Sequence, residues 1–171
     1  MRTNKTLACL AIILWSTWNA GAAPVLPQGP KLTVEQLSLR GLNTLRIEVM
    51  PVTKELRKAG ISVERLTKIF SEQVAASDMH VVDRSDAPLA GLVVFGATDA
   101  DQPGAVAVTF VIAFHQEIVL KRIDAHITAP TAFFTQTKLT TEARARSVVE
   151  WEVREMTRRV VKITHQATSK R

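Results

Sequence analysis

His115 and Glu117 are the residues whose types and spacing first suggest chemistry. They stand two apart in a stretch of alternating apolar side chains, so both fall on one face of a strand, opposite Phe110 and Phe114. An imidazole and a carboxylate so placed could act as a base and its orienting partner, or as half of a zinc site. Two side chains complete neither device, and such pairs are ordinary on the solvent face of a strand. Asp124 with His126, and His80 with Asp83, raise the same question elsewhere, but nothing in their spacing says that they converge.

Asp99, Asp101 and Gly104 match positions one, three and six of a calcium loop. Pro103 stands where the fifth-position ligand belongs, and Phe110 where the bidentate glutamate does, so an Asp/Gly turn in a hairpin explains the stretch better. The chain has no Gly-x-Ser-x-Gly elbow, no Ser-x-x-Lys pair and no phosphate-binding glycine loop. No residue is therefore assigned a catalytic, cofactor-binding or metal-binding role, and no cofactor is expected. A small exported hydrolase or metal-dependent enzyme using His115 and Glu117 remains the alternative to a non-catalytic protein.

The amino terminus sets the compartment. Arg2 and Lys5 precede an apolar run from Leu7 to Trp18, and Ala20-Gly21-Ala22 supplies small residues, the grammar of a secretory signal cut after Ala22. The apolar run is shorter than the roughly 20 residues that a helix needs to cross a bilayer. Leu7-Ala8-Cys9 has a superficial likeness to a lipobox, but Ala11 to Trp18 continue the apolar run that a lipobox cysteine would close. Cleavage discards Cys9, the one cysteine, and with it any disulfide, thiol nucleophile or thiolate metal site. The exported part must hold together by its packed core, as one domain of ordinary size can. An exported protein, periplasmic or secreted, is the expectation.

Charge narrows the partners. Losing Arg2 and Lys5 lowers the formal net charge from +6 by two, a mild basic bias gathered in Arg154, Arg158, Arg159, Lys162, Lys170 and Arg171. That late cluster suits the basic end of a solvated helix, with peripheral contact to an anionic membrane surface as the sharper reading. Nucleic acid is excluded as a partner by the compartment and by the lack of stacking platforms in a chain with no tyrosine.

The elements that must position these residues follow from periodicity. Residues 23–41, with Pro24, Pro27 and Pro30, form an extended leader, in which Leu32, Leu37 and Leu39 leave a short helix or strand open for 31–41. Leu45, Ile47 and Val49 alternate as a half-buried strand that ends at Pro51. Ser62 caps a helix over 63–76, with Ile61 and Leu66 as a hydrophobic staple around the cap. Met79–Val82 is a short second strand, and Leu89–Thr98, almost wholly apolar, a central third. Beyond the Asp99–Gly104 turn, Val106 to Phe114 form its hairpin partner, extended by Ile118–Leu120. A last strand over 123–138 breaks near Pro130.

Val149, Val153, Met156, Val160, Ile163 and Ala167 mark a long amphipathic helix over 142–167. Glu142 with Arg146, Glu150 with Arg154 and Glu155 with Arg159 are its i,i+4 pairs. Trp151 beside the stripe is expected at the edge of the core, with an exposed anchor for a partner as the other reading. The order predicts one α+β domain over 42–171, a two-layer sandwich in which two helices cover one face of a mostly antiparallel sheet.

Several features together resemble a group of small exported bacterial proteins of unknown function. They are the strand at Leu45–Val52, the Gly60-Ile61-Ser62 helix start, the Asp101 hairpin, the Thr131-Ala132-Phe133-Phe134 strand and the last helix. More distantly, the layout resembles the sandwich domains of Tol-type propeller proteins and of envelope auxiliary lipoproteins. The resemblance implies a role in the cell envelope and carries over no functional residue. The signal, the compact sandwich pattern and the lack of a catalytic set make a non-catalytic binding or assembly module, with an envelope protein as its partner, the leading expectation.

Overall fold

The structure, a computed structural model, describes residues 32–169. The secretory signal, its cleavage point and the proline-rich start of the leader lie outside the described residues. The elements, in chain order, are α1 (Val34–Ser38), β1 (Thr44–Val49), α2 (Lys54–Lys58), α3 (Val63–Ala75), β2 (His80–Val81), β3 (Leu89–Thr98), β4 (Ala105–Leu120), β5 (Ala125–Thr141) and α4 (Glu142–Ser169).

The strands form one open sheet in the order β2-β1-β3-β4-β5, so the apolar third strand is central as expected. Pairing is parallel where β1 meets β2 and β3, and antiparallel along the two long hairpins. The α+β class and the mostly antiparallel sheet stand as the periodicity predicts. Two short helices, α1 and α2, join the two long ones.

One face of the sheet makes the core. Leu45, Leu92, Val94, Val108, Phe110 and Ile112 are buried with Leu66, Ile69 and Phe70 of α3 and with Val149, Val153 and Val160 of α4. The start of α3 is built as its sequence demands: the Ser62 hydroxyl accepts from the Arg65 amide at 3.2 Å, and Ile61 and Leu66 are both buried. Gly60 ends α2 at φ +77°, a conformation that a side chain would oppose. Here the Ile61 amide donates to the Leu56 carbonyl.

β1 stops at Val49, so beyond that point the β3 margin lacks a strand. Thr53 takes the strand's place: its hydroxyl donates to the Gly96 carbonyl (3.2 Å) and accepts from the Gly96 amide (3.0 Å). Leu56 fills the space above Gly96, where a Cβ would come within 2.9 Å of it.

Two expectations change. The leader over 23–41 is not extended throughout, because α1 forms inside it with a reciprocal capping box between Thr33 and Gln36, and Leu39 is wholly buried. The last strand is bent, not broken, at Pro130. Phe114 pairs with Ala132 and His115 with Pro130, so Thr131 is an extra residue, a bulge where the proline has no amide to give. The Ser38 hydroxyl of α1 is shared between the Glu35 carbonyl of its own turn (2.7 Å) and the Thr131 carbonyl (3.1 Å), and Gln116 donates to Thr131 Oγ1 (2.6 Å) and to the Ser38 carbonyl (3.0 Å).

Candidate functional site

β4 carries His115 and Glu117 on the outer face of the sheet, away from the helices, as alternation requires. The structure joins Glu117 not to His115 but to His126, whose Nδ1 meets Glu117 Oε1 across the hairpin. This pair is exposed on both sides, and among the described residues Glu117 is the only side chain that His126 contacts by a hydrogen bond. Asp124, the carboxylate nearest to His126 in the sequence, instead occupies the tight turn at φ 48°. His80 lies on β2 and Asp83 beyond it, both outside any cleft with His115, and no hydrogen bond or ion pair between them is found among the described residues.

His115 looks into an open cleft of about 530 Å³ that also takes in Arg46, Asp86, Pro88, Glu117 and Thr128. Two atoms there, Arg46 Nε and His115 Nδ1, are buried without a hydrogen-bond partner. Asp86 is taken up by Arg84, with Nε–Oδ1 and Nη2–Oδ2 both at 3.2 Å. The cleft is therefore lined by an imidazole, a guanidinium and two carboxylates, Asp86 held by Arg84 and Glu117 by His126, a lining that can hold a polar group. No group of three or more His, Cys, Asp or Glu side chains able to hold a metal occurs among the described residues. The Asp99–Gly104 stretch is the hairpin loop expected, with Asp99 Oδ1 accepting from the Asp101 amide at 2.9 Å.

The polar arrangements that the sequence did not disclose lie on α4. Glu152 is 2% exposed, and its carboxylate accepts from Gln136 Nε2 (2.8 Å) and meets Lys138 Nζ (3.0 Å), both on β5. Arg159 comes within 4.0 Å of it and donates to Gln136 Oε1 at 3.0 Å. A buried carboxylate is tolerated when its oxygens are so supplied, and here it ties α4 to β5.

Two residues before it, Glu150 receives a two-pronged contact from Arg65 of α3 (3.1 and 2.8 Å) and a bond from Arg146 (3.2 Å). The Arg65 hydrogen bonds, aided by Arg146 and opposed by partial burial, hold its carboxyl at a pKa of about 2. The expected pairs change accordingly. Arg154 does meet Glu150 (3.6 Å), but Arg146 turns to Glu150 instead of Glu142, and Glu155 takes Arg158 instead of Arg159. Trp151 is 54% exposed, so it is not at the edge of the core.

No protein-family model matches the chain, and no curated protein is similar to it in sequence. Among the solved structures to which the chain is distantly similar are the following three. A minor lipoprotein from Acinetobacter baumannii is 12% identical with a TM-score of 0.44, over 74% of this chain and 94% of that one. A PelC dodecamer from Paraburkholderia phytofirmans is 12% identical with a TM-score of 0.38, over 71% and 86%. The rare lipoprotein B from Shewanella oneidensis is 17% identical with a TM-score of 0.31, over 73% and 92%. Two of the three are lipoproteins. Among the described residues no helix is long and apolar enough to cross a membrane.

Proposed function

We propose that this chain is an exported, non-catalytic binding or assembly module of the cell envelope, and that a protein partner seats on the outer face of its sheet. The observation that carries this reading is the uncovered apolar surface there. Phe95, Phe133 and Leu139 stand exposed across β3 and β5, with Val93 and Val111 half-buried between them. Apolar area left contiguous and rimmed by polar residues marks an interaction site. β5 lies at the margin of the sheet, and its unpaired edge offers backbone donors and acceptors to an incoming strand.

A photo-crosslinking residue placed at Phe133 or Leu139 of the full chain, in the cells that express it, tests the reading. Adducts of one defined mass from these positions, absent when the probe sits at Lys162 on the far side of α4, support it. No adduct from either sheet position, or recovery of the chain in the cytosol with residues 1–22 attached, rejects it.

A further inference from the structure

The β4–β5 hairpin outruns the rest of the sheet. β3 begins at Leu89, which pairs with His115, so residues 116–129 form a two-stranded ribbon with no third strand beside it among the described residues. Its base is fixed by the Thr131 bulge and by Ser38 and Gln116.

The ribbon exposes four large apolar side chains: Val119 (50%), Leu120 (37%), Ile123 (60%) and Ile127 (41%). Together with Val34 and Leu37 of α1, which packs on β5, they make up half of the twelve exposed large apolar residues among the described ones. Val119 lies on the face of Glu117 and His126, Leu120 and Ile127 lie on the opposite face, and Ile123 stands in the turn. A protein groove covers one face of a ribbon, whereas a fluid apolar medium covers every side of its tip. Lys121 and Arg122 sit among these residues in the turn, and neither forms an ion pair among the described residues. Apolar side chains interleaved with unclaimed cations are what an anionic headgroup layer complements.

We infer that the tip of the β4–β5 hairpin is this protein's contact with an anionic phospholipid surface, Leu120 and Ile123 reaching the headgroup–acyl boundary and Lys121 and Arg122 meeting phosphates. On the late helix, whose basic cluster first suggested such a contact, three of the cations are already taken. Arg154 is held by Glu150, Arg158 by Glu155 and Gln73, and Arg159 by Gln136. The inference goes beyond the partner surface on the sheet and stands independently of it.

The exported chain is mixed at low ionic strength with vesicles of phosphatidylglycerol and phosphatidylethanolamine, and separately with phosphatidylcholine alone. The expected result is salt-sensitive partition into the anionic vesicles. Leu120→Ser with Ile123→Ser should lower that partition at least about tenfold while the thermal midpoint stays that of the parent. Lys121→Glu with Arg122→Glu should abolish the preference for anionic over zwitterionic lipid. Ile123→Trp in a Trp151→Phe background gives a second readout, a blue-shifted emission quenched by brominated acyl chains. Absence of partition at low salt, unchanged partition in the tip variants, an unquenched probe at position 123, or an equal loss from Arg158→Glu with Lys162→Glu would each overturn it.

Discussion

Val106 to Phe114 and Ile118 to Ile127 are both rich in apolar residues, yet they end in opposite surroundings. In the first stretch Val108, Phe110 and Ile112 are wholly buried, closed over by Phe70 of α3 and by Val149 and Val153 of α4. In the second no residue from His115 through Thr131 is buried. The boundary falls at the bulge, where Pro130 withholds an amide and Thr131 adds a residue. Alternation specifies two faces of a strand; burial requires a second layer to close over one of them.

The sharpest way to break this comparison is to truncate one large residue in each region. Phe110→Ala should cost about 3–5 kcal/mol of unfolding free energy in denaturant titrations, since the site is packed on every side. A comparable loss from Ile127→Ala would mean that the ribbon is covered after all. Glu152→Ala, which removes the buried acceptor of Gln136 but leaves Lys138 exposed enough to turn to water, should cost about 1–2 kcal/mol by the same measurement.

The body also predicts a pH dependence that the ribbon does not. Glu150 binds its proton less tightly in the folded state, so its contribution is complete above its ordinary value of 4.5 and drains away as pH falls through about 2. Allowing for solvent screening at a carboxylate 13% exposed, the loss is on the order of 1–2 kcal/mol, and it should vanish in Glu150→Gln when chemical denaturation is repeated from pH 6 to pH 2. At the junction of the two regions, Ser38→Ala should remove about 1 kcal/mol and raise amide exchange in residues 116–129 ahead of the core strands. Smallest of all, Ile123→Ser should shift stability by no more than about 0.5 kcal/mol.

The body was the legible part. Leu89–Thr98 coincides with its strand, and Ser62 with Ile61 and Leu66 gave both the cap and the staple of α3, because these are signals between near neighbours. The capping box of Thr33 and Gln36 was equally local, but the scattered leucines around it obscured α1. Contacts set by register were out of reach: Glu117 finds His126, and Glu152 finds Lys138, only once the hairpin and the packing of α4 are fixed. His115 and Glu117 were placed on the correct face, but no spacing disclosed that Arg46 would share their cleft. The overhang had a usable signal, since a strand running from Val106 to Leu120 cannot be matched throughout by the ten residues of Leu89–Thr98.

Thr53 has a consequence for growth of the sheet. Past Val49 one flank of β3 is stoppered by a hydroxyl, and the far margin is a strand of only two residues, His80–Val81. Among the described residues the long unpaired margin of the sheet is thus that of β5. A strand added to this sheet would therefore find its longest run of backbone donors and acceptors along β5, which is where the edge has to be covered or matched by a partner.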